Sequence, residues 1–169
     1  PFAVLLGDVI IPGPRPATRQ LVEVWEKTGV GAIAVEEVPH EKTSLYGIVD
    51  CAPEKRGSWD GKLLRIKGMV EKPSPKDAPS NLAVTGRYVL PPEVFEFLEK
   101  TKPGRGGEIQ LTDALLALAN EMSLYALIYE GKSYDAGDKL GFLKATVEFG
   151  LGNPEFGKEF RDYLKDLKL

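Results

Sequence analysis

Val70-Glu71-Lys72-Pro73, followed by Asn81-Leu82-Ala83-Val84-Thr85-Gly86-Arg87-Tyr88, is the stretch around which the rest of the chain falls into place. Leu63 to Glu71 alternates in part and reads as a strand. It ends with a carboxylate and an ammonium side by side, and proline then turns the chain away. Leu82 to Leu90 reads as the next strand, and Pro91-Pro92-Glu93 opens a helix through Lys100, proline being suited to a first helical turn. Two strands, a corner and a helix in this order belong to a layered α/β domain. An acceptor and a cation at one strand end suit both the hydroxyls and the phosphate of a sugar phosphate. A surface ion pair in a hairpin corner is the competing reading.

Upstream, Phe2 to Leu6 is a continuous apolar run, which predicts a short strand covered on both faces. Gly7-Asp8 ends it. Pro12-Gly13-Pro14-Arg15-Pro16 is a loop, Thr18 to Lys27 a helix closing at Gly29, Ala32 to Val38 a strand, and Gly47 to Cys51 another. Downstream, Gly104-Arg105-Gly106-Gly107 predicts a joint before a helix from about Glu108 to Glu121. Leu124 to Tyr129 is a strand, and Gly131 leads on to Tyr134-Asp135-Ala136-Gly137-Asp138. Helices from Lys139 to Phe149 and from Pro154 to Leu167 follow. No repeat, low-complexity tract or linker interrupts the pattern, so residues 1–169 read as a single domain segment around a mixed sheet.

The 169 residues are enough for one real core. A net charge of -3 offers no electrostatic case for nucleic acid or an anionic membrane. No apolar run approaches the roughly 20 residues of a membrane-spanning helix. Cys51 is the only cysteine, which excludes an internal disulfide and suits a reducing cytoplasm. His40 is the only histidine, in the polar loop Pro39-His40-Glu41-Lys42, so multi-histidine metal sites are excluded and a Ser-His-Asp triad is disfavoured. Pro1 is not an initiator methionine, and a strand follows at once, as in the later part of a longer protein.

Asp8 follows the first strand, at the carboxyl end where open α/β sheets place ligands. A carboxylate there suits Mg²⁺, a hard cation that shares its coordination with substrate phosphates; a turn cap is the alternative. Asp135 is the second candidate, with Ala136-Gly137 leaving room beside it. Asp138 fits the cap of the helix beginning Lys139-Leu140 better, which leaves Asp135 for the metal. Tyr46-Gly47 and Thr85-Gly86 mark places where backbone approaches a neighbour closely or a strand bulges. Glu130-Gly131-Lys132-Ser133 imitates the end of a phosphate-binding P-loop, but position 126 is alanine and no helix follows at once. Leu115, Leu118, Ala119 and Met122 form a helical stripe suited to a core or a subunit contact.

Phe2 to Ile10, Tyr46-Gly47-Ile48-Val49-Asp50-Cys51, Val70 to Pro73 and Ala78 to Tyr88 together resemble the bacterial UTP–glucose-1-phosphate uridylyltransferases, a branch of the sugar-nucleotidyltransferase family. So do Gly107-Glu108-Ile109-Gln110-Leu111-Thr112-Asp113-Ala114 and Tyr134 to Gly141. The resemblance runs in order along nearly the whole chain. The Ala-Pro-Ser-Asn-Leu-Ala and Gly-Glu-Ile-Gln-Leu-Thr-Asp-Ala blocks are its most specific parts. It implies a Rossmann-like nucleotidyltransferase fold, with a mixed central sheet flanked by helices. It also implies formation of UDP-glucose and pyrophosphate from UTP and glucose 1-phosphate. By motif, Asp8 and Asp135 are the implied Mg²⁺ ligands. Glu71 is the implied acceptor for glucose hydroxyls and Lys72 the cation on the sugar phosphate. Gly47 gives a backbone contact to the sugar, and Val84 lines its face.

The family's glycine-rich triphosphate loop lies upstream of the segment matching Pro1, so the N-terminal nucleotide-binding portion and the uracil-reading region are missing here. Ala136 stands where the family often has cysteine. The family also implies a homo-oligomer. The helix from Glu108 to Glu121 and the C-terminal helix with Phe156, Phe160 and Leu164 are its candidate contact surfaces, or else pack on their own sheet. Three competing readings remain: another nucleotide or hexose 1-phosphate, a non-catalytic sugar-phosphate-binding subunit, and a glycosyltransferase. The last is disfavoured because Asp8 is followed by Val9-Ile10 rather than by a second close aspartate.

Overall fold

The computed structural model describes residues 1–54 and 59–167. By its contacts the chain forms two units, the first comprising Pro1–Leu6 and Gly13–Gly131, the second Gly7–Pro12 and Lys132–Leu169.

The first unit is a six-stranded mixed sheet with helices. Its strands are β1 (Phe2–Leu5), β3 (Ala32–Glu37), β4 (Gly47–Pro53), β5 (Leu63–Glu71), β6 (Leu82–Leu90) and β7 (Tyr125–Ile128). They lie in the order β1-β6-β3-β7-β5-β4, and β4 also touches β6 where Ile48 faces Ala83. Among the described residues only β3 and β7 run parallel; the other pairs of this sheet are antiparallel. The central β3 buries Ala32, Ile33, Ala34 and Val35 completely, as a strand covered on both faces must.

β1 does not match the expectation of burial on both faces. It is an edge strand paired only with β6: Phe2 and Val4 pack against the core, while Leu5 is 55% exposed. A short apolar run has no period from which to tell an edge from a centre, and its place in the strand order decides the matter.

Helix α1 (Ala17–Thr28) ends as its sequence announces. Gly29 takes a left-handed φ of 68°, and its N–H donates to Trp25 O over 2.8 Å. Buried Gln20 on this helix is fully used, because its amide brackets the backbone of Glu130 from both sides at 2.8 Å. Helix α2 (Val94–Lys100) starts three residues later than expected, the two prolines forming the preceding turn. Helix α3 (Leu111–Met122) also starts later than Glu108, because Gly106 and Gly107 hold positive φ and Gln110 is extended. Leu115, Leu118 and Ala119 of α3 are buried in the core beside Ile66, Met69 and Leu124, so this helix packs on its own sheet; Met122 lies outside, exposed.

Thr85 and Gly86 form the expected bulge. Ile33 faces Tyr88 while Val35 faces Val84, so β6 carries extra residues between them. Gly86 has φ of 67°, and a Cβ there would lie 2.8 Å from Leu6 Cδ1. The guanidinium of Arg87 secures the same corner by donating to the carbonyls of Leu6 and Gly86.

The second unit holds the two-stranded pair β2 (Val9–Ile10) and β8 (Tyr134–Asp135), then α4 (Lys139–Gly152) and α5 (Gly157–Asp166). Asp138 caps α4, accepting from Gly141 N over 2.8 Å. Gly150 lets the Phe160 ring close onto α4, since a Cβ there would come 2.7 Å from the ring. Phe156 remains exposed. Among the described residues no helix is long and apolar enough to cross a membrane.

Candidate active site

The antiparallel register of β4 and β5 sets Gly47, the first residue of one strand, opposite Glu71, the last of the other. A Cβ on Gly47 would lie 3.2 Å from Glu71 Oε2, 3.4 Å from Thr112 Oγ1 and 3.8 Å from Val84 Cγ2. Four elements therefore face one small space, which glycine leaves open: β4, β5, β6 and the first turn of α3. One side of it is apolar, supplied by Val84, and the other is a carboxylate. A sugar ring, with an apolar face and a rim of hydroxyls, has the same division.

The Glu71 carboxylate has a defined orientation. Oε2 accepts from the Thr112 hydroxyl over 2.6 Å, and Oε1 lies 3.9 Å from Lys72 Nζ. Both Glu71 and Thr112 are largely covered, whereas the Lys72 side chain is about half exposed. Lys72 stands in a left-handed conformation, with φ of 45°, unusual for a residue with a side chain. Its N–H donates to Tyr46 O over 3.0 Å, which holds the corner in that shape. Strain of this kind is retained where surrounding structure imposes it, often at binding sites. Burial pushes the Tyr88 phenol up to about 12, and the nearby negative charge of Glu71 acts in the same direction.

The two candidate metal carboxylates meet in the second unit. A Cβ on Gly137 would stand 3.1 Å from Asp8 Oδ2 and 3.2 Å from Asp135 Oδ1. Ala136 N also donates to Asp8 O over 2.7 Å, which ties the two segments together. Asp135 is less free than the sequence suggests, since its Oδ1 accepts from Gly137 N at 3.0 Å and from Asp138 N at 3.3 Å. An ionised carboxylate offers about four lone-pair positions, so capacity for a cation remains. The donor set fits Mg²⁺: two hard carboxylate oxygens flank the position beside Gly137, with other positions left for water or phosphate. Among the described residues no group of three or more His, Cys, Asp or Glu side chains converges. Those described residues thus build no softer, all-protein metal cage.

The remaining sequence candidates sort simply. His40 is exposed in a short 3-10 turn, His40–Leu45. Burial first, and Asp50 second, push the Cys51 thiol up to about 12, so it is no nucleophile at neutral pH. Glu130 to Ser133 is a loop that leads into β8 rather than directly into a helix. Thr112 is the residue that motif reading passed over. It stood inside the Gly107–Ala114 block, but nothing local indicated that its hydroxyl reaches a strand 41 positions away.

The profile of the family described as Nucleotidyl transferase matches residues 1–149. The chain belongs to the nucleotidyl transferase family. Among its relatives, the UTP–glucose-1-phosphate uridylyltransferase of Staphylococcus epidermidis is 44% identical over 169 residues, which is 100% of this chain and 57% of that protein. A structure of a UTP-bound UGPase from Acinetobacter baumannii superposes with a TM-score of 0.84 at 39% identity, covering 99% of this chain and 56% of that one. A UDP-glucose pyrophosphorylase complexed with UDP-glucose gives 0.82 at 39% identity, covering 90% and 56%. This nucleotidyl transferase chain therefore spans a little over half the length of the relatives it matches. The mixed sheet flanked by helices is the fold of these nucleotidyl transferases, as the resemblance implied.

Proposed function

We propose that this chain supplies the sugar-phosphate site and the metal carboxylates of a nucleotidyl transferase that makes UDP-glucose and pyrophosphate from UTP and glucose 1-phosphate. The convergence of Gly47, Glu71, Val84 and Thr112 on one space, with Lys72 beside it, carries the reading. The likeness to uridylyltransferases supports UTP and glucose as the particular partners.

In this reading Glu71 accepts hydrogen bonds from glucose hydroxyls, Val84 packs on the ring and Gly47 lets backbone approach it. Lys72 meets the phosphate as a mobile point charge. The phosphate oxygen of glucose 1-phosphate is ionised already, so no general base is required. It attacks the α-phosphorus of UTP in line. The new P–O bond forms as the bond to the leaving pyrophosphate breaks, and the electron pair departs with pyrophosphate. Two anions must approach each other for this, and the Lys72 ammonium offsets their repulsion. Asp8 and Asp135 would hold Mg²⁺, which supplies charge neutralisation to phosphate oxygens. The single cysteine supports a cytoplasmic protein, and the resemblance supports a homo-oligomer.

The test is calorimetric titration of glucose 1-phosphate into the protein and into Lys72→Ala, beside an assay for Mg²⁺-dependent pyrophosphate release from UTP and glucose 1-phosphate. Binding that weakens in the variant is the expected result, with release that needs both substrates expected of a protein that also carries the family's glycine-rich triphosphate loop. An affinity unchanged by Lys72→Ala would remove the lysine from the phosphate. Binding without release by a protein that carries that loop would leave a sugar-phosphate-binding subunit.

A further inference from the structure

The Glu71 carboxylate is not symmetric in use. Oε2 is occupied by the Thr112 hydroxyl at 2.6 Å, a short bond to a charged acceptor, while Oε1 faces the Lys72 ammonium at 3.9 Å. Thr112 is 9% exposed and its hydroxyl lies about as close to the open space at Gly47 as Glu71 does. It comes from α3, whose core stripe anchors it against the sheet, so its position is rigid while a glutamate side chain alone has three rotatable bonds.

On the sugar-phosphate reading above, we propose that Thr112 is a positioning residue for sugar selectivity. By holding Oε2 it fixes the plane of the carboxylate, so the remaining acceptor positions point in set directions. Hexose 1-phosphates that differ only in the configuration of one hydroxyl present that O–H to different directions. A carboxylate held in one plane accepts from one epimer and leaves the other's hydroxyl poorly paired. A carboxylate free to turn accepts from either. The phosphate contact at Lys72 is common to all such sugars and contributes affinity without selectivity.

The experiment compares the protein with Thr112→Val and Thr112→Ser by calorimetric titration of glucose 1-phosphate and galactose 1-phosphate, with thermal unfolding of all three. Valine keeps the shape and removes the hydroxyl; serine keeps the hydroxyl. Thr112→Val should weaken glucose 1-phosphate binding by about tenfold, the scale of one hydrogen bond to a charged group. It should also bring the ratio of the two affinities toward one. Thr112→Ser should retain the ratio. A Thr112→Val protein with an unchanged ratio overturns the proposal, whether or not its affinity for both sugars falls. So does a Thr112→Ser protein that loses the ratio as valine does, since that points to the methyl group. Failure of the unaltered protein to bind either sugar phosphate would instead defeat the sugar-phosphate reading itself, and this inference with it.

Discussion

The N–H of Lys72 donates to the carbonyl of Tyr46 over 3.0 Å, and the residue it fixes is left-handed at φ of 45°. One hydrogen bond thus ties the Glu-Lys-Pro corner to the residue preceding Gly47. The lysine is held in an unfavourable backbone shape, and its replacement separates strain from charge. Lys72→Gly should be more stable than Lys72→Ala by about 1 kcal/mol, because glycine alone adopts this φ without steric cost. Both should lose affinity for glucose 1-phosphate alike. Thermal unfolding and titration calorimetry read the two effects. A glycine variant less stable than the alanine variant would mean that the corner relaxes in solution.

Gly137 faces both Asp8 and Asp135, and its φ lies outside the left-handed region, so alanine is acceptable to the backbone there. Its methyl would take the space between the two carboxylate oxygens. Gly137→Ala should therefore weaken Mn²⁺ binding, followed by electron paramagnetic resonance as a probe for Mg²⁺, by at least tenfold while leaving the melting temperature nearly unchanged. Mn²⁺ binding of equal strength would move the cation elsewhere.

Gly86 should not tolerate a side chain. Alanine there meets the left-handed penalty of about 1–2 kcal/mol and a clash with Leu6, whose Cδ1 would be 2.8 Å away. Denaturant unfolding of Gly86→Ala should show at least that loss. Trimming the partner in Gly86→Ala/Leu6→Ala should recover the clash component only. Full stability of the single variant would mean that Leu6 does not pack there.

The alkaline limb of stability should carry the mark of Tyr88. Its phenol rises from an ordinary 10.0 to about 12, chiefly through burial, so the folded state favours the neutral form. That contribution is complete below pH 10 and is lost as pH rises through about 12. Tyr88→Phe should flatten the fall of stability across this window, measured by urea unfolding at stepped pH. Cys51 shifts in the same direction, from 9.0 to about 12, and leaves a residual slope in the variant. An unaltered slope would show that the Tyr88 phenol is not buried against Glu71.

Much of this was legible in residue order because it is local. A glycine after an amphipathic run ends α1 at Gly29, since only four neighbouring residues are involved. Asp138 caps α4 for the same reason. The pairing of Glu71 and Lys72 at one strand end is legible because charge, strand end and proline are consecutive. Asp135 was readable as a candidate ligand but not as the acceptor of two backbone N–H bonds, which depend on how its own turn closes.

By itself, then, the sequence determined the alternation of strands and helices, the single-cysteine, single-histidine chemistry, and a set of candidate residues for meeting a sugar phosphate and a hard cation. Tertiary structure alone decided which of them share a space. Strand order placed β1 at an edge, although its composition suited a centre. Register put Gly47 opposite Glu71, and the docking of α3 brought the Thr112 hydroxyl to that carboxylate. Local preference extends over one turn or one strand pair. Register and strand order are settled by burying many distant apolar side chains at once, and that sum is not written in any short stretch of chain.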